Sequence, residues 1–370
     1  MAPPATQFEL AQPPNDAISA LAFSPDSPSR LLASSWDKNI YLYDKLQNSG
    51  GEEGSHGTLL RTFEHRAPVL DVCFGKDGNE AFSAGMDWQV RRIDLDSGEQ
   101  TTLSKHAAPV RRVVYSKEHS LLISASWDST LHIHDPSNPS LSPLPVPLPG
   151  KPHAIAASPS KLVVAMTSRL VHIYDLSALS NALASPSPSA QPPQPWQQRE
   201  SSLKFLTRAV AAMPSDAGYA TSSIEGRVAV EWFDASAESQ ARKYAFKCHR
   251  TAHPQPDGSG SGATTTTTTD VVYPVNALAF HPVHGSTFAS GGGDATVALW
   301  DAEAKRRMKV YQKFADSVAA LAFSSDGRYL AVGVCPGFET GMEDYSGEGR
   351  TKIFVRELGE NEALPKGKGK

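Results

Sequence analysis

The sequence predicts an all-β protein, a seven-bladed β-propeller in which each blade is one four-stranded antiparallel sheet. The first observation behind this prediction is an internal repeat, since β-rich segments end in an apolar, aromatic or His residue followed by Asp every 40 to 67 residues. The shorter intervals match the length of one blade, and the longer ones contain insertions. These ends are Tyr43-Asp44, Ile93-Asp94, His134-Asp135, Tyr174-Asp175, Phe233-Asp234 and Trp300-Asp301.

The second observation is a set of seven apolar first strands, which count the blades directly. They are Ala17 to Phe23, Pro68 to Phe74, Pro109 to Tyr115, His153 to Ala157, Leu206 to Ala212, Pro274 to Phe280 and Ser317 to Phe323.

Four repeats carry an acidic residue in a Ser/Gly-rich turn before the third strand, at Asp37, Asp87, Asp128 and Asp294. A carboxylate in such a turn accepts hydrogen bonds from turn amides and from a neighbouring His. His65 and His106 precede the strands near Val69 and Val110, from where each is predicted to reach the turn Asp of its own blade. We therefore interpret these His-Asp pairs as structural and not catalytic.

The ring must hide the edge strands at its seam, because an unpaired edge is a template for aggregation. The seventh repeat ends in a strand, Arg350 to Arg356, that has no Trp-Asp close, and Thr6 to Leu10 alternates before the first blade. We predict that this N-terminal strand pairs with the C-terminal blade, so that residues 1–360 form a single propeller. Mobile, unstructured insert loops are predicted at about 47–57, 180–195 and 254–269, and a basic flexible tail at 361–370.

Composition indicates a soluble, intracellular protein without a cofactor or a metal site. Lys and Arg number 35 against 39 Asp and Glu, for a net charge of −4, so nucleic-acid binding is not expected from charge. No apolar run approaches the roughly 18 residues of a membrane span. Cys73, Cys248 and Cys335 are widely spaced and fit reduced thiols. The chain has no GxSxG, HExxH or phosphate-loop motif, so we expect no enzyme activity.

The fifth repeat is the most distinctive, because basic residues interrupt its strand pattern. Arg208, Arg227 and Lys247 fall near corresponding ends of its strands, and Glu225-Gly226-Arg227 replaces the acidic turn of the other blades. Cations converging on one rim suggest an anion site. The alternative is solvated charge or internal ion pairs with nearby carboxylates. Those carboxylates are Glu200, Glu225 and Glu231.

Over nearly its whole length the chain resembles the Bub-type spindle assembly checkpoint WD-repeat proteins. The sister family, the nuclear-pore mRNA-export WD-repeat proteins, is similar in the same regions and is the alternative. The matching strings are QPPNDAISALAFSP (Gln12 to Pro25), SSWD (Ser34 to Asp37), ASWD (Ala125 to Asp128), RESSLKFLTR (Arg199 to Arg208), SSIEGRVAVE (Ser222 to Glu231), YAFKCHR (Tyr244 to Arg250) and YPVNALAFHP (Tyr273 to Pro282).

The resemblance implies a top-face groove that binds a short motif, called GLEBS, of a checkpoint kinase and of its kinase-like relative. It implies that Arg208 pairs with acidic residues of that motif, and that Arg227 and Lys247 hold a phosphothreonine of Met-Glu-Leu-Thr repeats on a kinetochore scaffold. Trp36 and Trp127 are candidates to add apolar contact area for the motif, with packing between blades as the alternative.

The same resemblance implies a nuclear protein that is at kinetochores in mitosis and takes part in an inhibitor assembly of the anaphase-promoting complex. The export alternative implies binding of a nucleoporin GLEBS motif and contact with RNA. A third possibility is a substrate receptor of a ubiquitin ligase, a class that usually has Arg two residues after the blade-ending Trp-Asp. Glu303 stands there in this chain, so that signal is absent.

Overall fold

The computed structural model of the chain describes residues 7–46, 57–185, 191–255, 267–337 and 348–365. Within these ranges seven four-stranded antiparallel sheets form the blades of a β-propeller, as the sequence predicts. The first strand of each blade packs against the first strands of both neighbouring blades, and the seventh packs against the first, so that the ring closes. None of the described helices is long and apolar enough to cross a bilayer.

The chain begins with β1 (Gln7–Glu9), which belongs to the last blade. Blades one to four follow, each made of four consecutive strands. Blade one contains β2 (Ile18–Phe23), β3 (Leu31–Ser35), β4 (Asn39–Asp44) and β5 (Thr58–Glu64). Blade two contains β6 (Val69–Phe74), β7 (Glu80–Gly85), β8 (Gln89–Asp94) and β9 (Gln100–Lys105). Blade three contains β10 (Val110–Ser116), β11 (Leu121–Ser126), β12 (Thr130–His134) and β13 (Leu144–Pro147). Blade four contains β14 (Pro152–Ala157), β15 (Lys161–Met166), β16 (Leu170–Asp175) and β17 (Gln197–Glu200), with helix α1 (Leu176–Ala184) between its last two strands.

Blades five and six are separated by a two-stranded hairpin, and the last blade takes its outer strand from the N-terminus. Blade five contains β18 (Thr207–Ala212), β19 (Gly218–Ser223), β20 (Arg227–Trp232), the short helix α2 (Ala237–Ala241) and β21 (Tyr244–Lys247). The hairpin is β22 (Arg250–Gln255) with β23 (Thr267–Val272). Blade six contains β24 (Val275–Phe280), β25 (Thr287–Gly292), β26 (Val297–Asp301) and β27 (Arg306–Val310). Blade seven contains β28 (Val318–Phe323), β29 (Tyr329–Val334), β30 (Lys352–Glu357) and β1.

The N-terminal strand closes the last blade, which confirms the prediction for Gln7–Glu9; Thr6 lies outside the described residues. Phe8 faces Val355 across the β1–β30 ladder, and the Leu10 amide donates to the Ile353 carbonyl at 2.8 Å. Phe8 and Leu10 are 6% and 1% exposed, within an apolar cluster built from blades one and seven. The termini are therefore joined through both hydrogen bonds and apolar packing.

The turn aspartates of blades three and six accept hydrogen bonds as the repeat pattern predicts. The Thr130 amide and hydroxyl donate to Asp128 at 2.9 and 2.7 Å, and His106 Nδ1 lies 3.0 Å from the same carboxylate. Asp294 has the corresponding contact with His249 Nδ1, at 2.8 Å. His249 was not identified from the sequence, although it stands at the same place before its blade.

Blades one and two vary this pattern. Asp37 accepts from the amide of Asn39 and from the hydroxyl of Tyr41, at 3.0 and 2.7 Å. Asp87 is bound by Arg91 at 2.6 Å. His65 does not make the predicted contact with Asp87, whose carboxylate is occupied by Arg91. Its Nε2 lies 2.8 Å from the hydroxyl of Ser83, but its Nδ1 lies 3.4 Å from the Phe63 carbonyl and not beside the carboxylate.

The repeated aspartates that end the third strands have a common turn role. In five blades the carboxylate accepts a hydrogen bond from the amide two residues later, an Asx turn that begins the connection to the outer strand. These residues are Asp94, Asp135, Asp175, Asp234 and Asp301.

Blade four uses a basic residue in its turn. Ser168 and Arg169 both have positive φ, at 59° and 63°. The Arg169 guanidinium donates to the carbonyls of Leu203 and Ser201, at 3.1 and 2.8 Å, and pairs with Glu200 at 3.0 Å. Arg169 therefore holds the connection between blades four and five by donating hydrogen bonds to its backbone carbonyls.

Two of the three insert loops that we expected to be unstructured are ordered in part. Residues 180–184 belong to α1, which is capped by Asp175 and buries Leu176, Leu179 and Leu183 against blades three and four. Residues 254–255 and 267–269 belong to the β22–β23 hairpin. The remaining parts of the inserts, 47–56, 186–190 and 256–266, lie outside the described residues.

The segment 361–365 is packed and is not the flexible tail that we expected. Glu362 accepts hydrogen bonds from the Tyr311 hydroxyl at 2.6 Å and from Arg356 Nε at 3.1 Å. Ala363 is 4% exposed, and its carbonyl accepts from the Thr287 hydroxyl at 2.8 Å. Residues 366–370 lie outside the described part of the chain.

Candidate functional site

One face of the ring carries the turns between the second and third strands and the connections between blades, and we call it the top face. Each of these turns is tied to the start of its own blade by a backbone hydrogen bond. The Trp36 amide donates to the Ala17 carbonyl at 2.9 Å, and the Trp127 amide donates to the Pro109 carbonyl at 3.0 Å. Both indoles are thereby held close to the axis of the ring.

A cavity of about 630 Å³ opens on the top face at the ring axis, and we call it the axial cavity. Trp36, Trp127 and Arg208 line it, so the structure brings together three residues that the sequence assigned to one peptide motif. Trp36 is 41% exposed and Trp127 is partly exposed, which places both indoles at a surface and not in the interior between blades. Large, partly exposed aromatic rings beside a cation are typical of peptide-binding surfaces.

Arg208 is exposed at the start of β18, and its Nε donates to Asn276 Oδ1 at 3.1 Å. Asn276 is held in turn, because its amide nitrogen donates to the Ser317 hydroxyl and to the Val318 carbonyl, each at 3.1 Å. The position of the Arg208 guanidinium is therefore set by side chains of blades six and seven.

Arg227 and Lys247 form a second group, which does not line the axial cavity. They are direct partners across the β20–β21 ladder, so the two side chains lie on one side of the outer half of blade five. Lys247 is exposed, and Arg227 Nε lies 3.3 Å from Glu225 Oε1, a partner that we had weighed from the sequence. We call Arg227, Lys247 and Glu225 the rim cluster.

The turn at Gly226 fixes this cluster. Gly226 has φ +63°, and an added Cβ would lie 2.6 Å from the Cys248 carbonyl oxygen and 3.1 Å from that of Tyr273. Arg250, which the sequence analysis did not single out, donates from Nη2 to the Glu225 carbonyl at 2.8 Å. Arg250 therefore holds the backbone of this turn, while Arg227 pairs with the carboxylate of Glu225.

The axial cavity also contains residues that sequence analysis missed. Ile224 is 43% exposed and occupies in blade five the turn position that Trp36 and Trp127 occupy in blades one and three. That equivalence was readable from the aligned repeats. Arg111 and Arg112 also line the cavity, and Arg111 stands at the bulge position of blade three that Arg208 occupies in blade five.

The electrostatics of the cavity floor differ from those of the rim. Arg112 lies 3.4 Å from Asp71, whose carboxylate also accepts from the Val113 amide at 2.9 Å. Burial raises the pKa of Asp71, although Arg112 and the amide act against that rise. Burial, together with the charge of Arg112, lowers the pKa of Arg111 well below its ordinary value. The charged form of Arg111 is therefore destabilised by its burial and by the neighbouring charge of Arg112.

Two further observations bear on catalysis and redox chemistry. Among the described residues no group of three or more His, Cys, Asp or Glu side chains has a metal-binding arrangement. Burial raises the pKa of the Cys248 thiol to about 12 and that of the Cys73 thiol well above its ordinary value, so neither thiol is activated as a nucleophile.

Comparison with known proteins identifies both the repeats and the relatives. The family model of the WD domain, G-beta repeat, matches residues 7–44, 57–94, 98–135 and 265–301. Mitotic checkpoint protein BUB3.1 of Arabidopsis thaliana is 42% identical, over 99% of this chain and 96% of that protein. Mitotic checkpoint protein bub3 of Dictyostelium discoideum is 33% identical, over 96% of each chain. The mRNA export factor GLE2 of Chaetomium thermophilum is 30% identical, over 97% of this chain and 92% of that protein.

Proposed function

Because the chain belongs to the Bub3 family of mitotic checkpoint WD-repeat propellers, we propose that it is a non-catalytic scaffold of the spindle assembly checkpoint. In this proposal it binds GLEBS motifs of a checkpoint kinase and of its kinase-like relative. It also reads phosphorylated Met-Glu-Leu-Thr repeats of a kinetochore scaffold, and so recruits the kinases to unattached kinetochores. The protein acts in the nucleus and at kinetochores in mitosis, and contributes to the inhibitor assembly of the anaphase-promoting complex.

The observation that carries the proposal is the rim cluster. A phosphothreonine brings roughly −1.5 to −2 charges at neutral pH, whereas a bare threonine brings none. Arg227 and Lys247 are adjacent across a strand pair, so one phosphate is able to contact both. Arg supplies a planar fork of donors and Lys a point charge, which together suit a tetrahedral dianion. Discrimination between the two forms of threonine then follows from electrostatics.

The axial cavity supports the second half of the proposal. A groove that is lined by Trp36 and Trp127 and bordered by Arg208 suits a peptide that combines apolar and acidic residues. The rim cluster and the cavity are lined by different residues, so the GLEBS motif and the phosphopeptide are able to bind at the same time. A scaffold that joins two partners needs two such separate sites.

The test is a pair of substitutions in the rim cluster. Arg227→Ala combined with Lys247→Ala is expected to reduce affinity for a phosphorylated Met-Glu-Leu-Thr peptide by at least about 100-fold, because two charge-assisted contacts are lost. Affinity for a GLEBS peptide should stay within about twofold. The matched control is Arg242→Ala combined with Lys243→Ala, which removes two cations of the same blade from the connection between its third and fourth strands. Unchanged phosphopeptide affinity in the rim variant contradicts the proposal.

The second candidate function is mRNA export through a nucleoporin GLEBS motif. Its support is the 30% identity to an mRNA export factor over nearly the whole chain, against 42% for the checkpoint relative. The same axial cavity serves both candidates, so the rim cluster separates them. Export predicts appreciable affinity for single-stranded RNA that falls steeply with salt, and no preference for phosphorylated over bare threonine.

A further inference from the structure

The axial cavity contains a cation whose donors are largely unused. Within the described part of the chain the guanidinium of Arg111 makes one hydrogen bond, a long one of 3.4 Å from Nη1 to the Leu70 carbonyl. A guanidinium has five N–H donors. By contrast, Arg112 is paired with Asp71, and Arg208 is positioned by Asn276. Arg111 is therefore the cation of the cavity that is best able to accept an incoming anion.

The charges around the cavity show what kind of anion fits. Arg111, Arg112 and Arg208 are the cations among the residues lining this cavity and the adjoining channel, and Asp71 is the one carboxylate. Because Asp71 pairs with Arg112, the single charge of Arg111 is left for one carboxylate of a ligand. The planar guanidinium also matches the planar carboxylate, through two parallel hydrogen bonds.

The surroundings make the site specific. Ile18, Leu70 and Ala319 line the same cavity, so an anion that reaches Arg111 leaves bulk water. Charge-assisted hydrogen bonds are stronger where water is excluded, and a guanidinium is more easily dehydrated than an ammonium. The lowered pKa of Arg111 has the same physical origin, the cost of positive charge at a buried place.

We infer that Arg111, together with Arg112, forms an axial anion site that takes one acidic side chain of the peptide bound on the top face, which makes Arg111 a specificity-determining residue. The inference rests on the proposed function in that it takes a peptide as the occupant of the cavity. It adds a contact from blade three to the one proposed for Arg208 at the equivalent position of blade five, so that acidic side chains are read by cations of two blades. A bound peptide must then send one side chain down the axis of the ring.

A double-mutant cycle tests this inference by calorimetry on the full chain. The probes are a GLEBS peptide of a checkpoint kinase, and a series in which each glutamate of the peptide is changed in turn to Gln. Arg111→Gln is expected to weaken binding of the unchanged peptide by about 10- to 100-fold. One peptide of the series lacks the glutamate that Arg111 binds. For that peptide, Arg111→Gln should change the affinity by less than about twofold. Arg242→Gln, outside the top face, is the matched control and should leave all affinities unchanged.

Equal losses with the unchanged peptide and with every member of the series overturn the inference, because Arg111 then acts through the fold and not through a carboxylate. Arg111→Lys keeps the charge but lacks the fork, and is expected to lose about tenfold; it replaces Arg111→Gln if that variant fails to fold. A loss of affinity for a single-stranded RNA oligonucleotide, with the peptide unaffected, likewise overturns it and assigns the site to nucleic acid.

The failure of the proposed function is distinguishable from the failure of this inference. If the wild-type chain does not bind the GLEBS peptide, the proposed partner is wrong, and a hexaglutamate peptide becomes the probe. Salt-sensitive binding of hexaglutamate that Arg111→Gln abolishes then supports the axial site, and no binding overturns it. If the GLEBS peptide binds and depends on Arg208 but not on Arg111, the proposed function stands and the axial site is rejected.

Discussion

Glu225 competes with phosphate for Arg227, and removing its charge should strengthen phosphopeptide binding. Glu225 Oε1 lies 3.3 Å from Arg227 Nε, and the two side chains are 21% and 35% exposed, respectively. A phosphate that binds Arg227 is therefore repelled by the carboxylate of Glu225, or must displace it. Glu225→Gln keeps the shape and the polarity of the side chain and removes the repulsion.

The magnitude follows from the geometry. A partly exposed ion pair of this kind is worth about 0.2–1 kcal/mol, which phosphate no longer has to offset in the variant. A phosphate hydrogen-bonded to Arg227 stands roughly 6 Å from the carboxylate, where repulsion in water is about 1 kcal/mol. Together these give about 1–2 kcal/mol, or about a 5- to 30-fold gain in affinity at low salt. The gain should shrink as salt screens the charges.

The assay is titration of a phosphorylated Met-Glu-Leu-Thr peptide into the wild type and the variant at two ionic strengths. Glu200→Gln is the matched control, since Glu200 pairs with Arg169 at 3.0 Å in the neighbouring blade and is outside the rim cluster. The control should bind as the wild type does. If Glu225→Gln binds phosphopeptide equally well or more weakly, then Glu225 orients Arg227 for the phosphate and the competition argument is wrong.

Three further predictions concern the scaffold. Burial lowers the pKa of His132 to about 4 and that of His134 to about 3, so the unfolded chain binds more protons than the folded one below about pH 6.5. The free energy of unfolding should fall by at least about 2 kcal/mol between pH 7.5 and 5.5, because burial lowers the pKa of His65 and His281 to about 4 as well. An unchanged urea midpoint contradicts this, and His132→Gln should reduce the effect. Asp128→Ala removes the acceptor of the Thr130 amide and hydroxyl, of the Ala107 amide and of His106, and should cost about 2–4 kcal/mol in urea unfolding. A cost under 1 kcal/mol contradicts the structural role. Phe8→Ala opens the seam between β1 and β30 and should cost about 3 kcal/mol, whereas a loss below 1 kcal/mol shows that the closing strand is dispensable.

The ring and its closure were predictable because each blade repeats one simple pattern. The seven first strands were located to within about two residues, since each is an apolar run after a turn, as at Val69–Phe74 and Val318–Phe323. Helix α1 was missed because its apolar positions are few. Leu176, Leu179 and Leu183 have helical spacing, but small and polar residues separate them in a segment that reads as low complexity.

The candidate site was predictable only where residues stand in repeat-equivalent turns or match the family resemblance. Trp36 and Trp127 share a turn position, and Ile224 occupies it in blade five without being noticed. Arg111 has the same place in blade three that Arg208 has in blade five, at the bulge of the first strand, so comparison of the repeats could have pointed to it. The bulge itself, which sets the orientation of these residues toward the axis, is not visible in the sequence. Sequence periodicity does not show which residue a bulge turns toward the channel.

The measurement that tests the central claim most directly is binding of the purified chain to a Met-Glu-Leu-Thr peptide with and without the threonine phosphate. It is made in the presence of a GLEBS peptide and at two salt concentrations. The account predicts at least about a 100-fold preference for the phosphorylated peptide, reduced at high salt and lost in the Arg227→Ala, Lys247→Ala variant. Equal affinity for the two peptides while the GLEBS peptide remains bound contradicts phosphopeptide reading and favours the mRNA-export function.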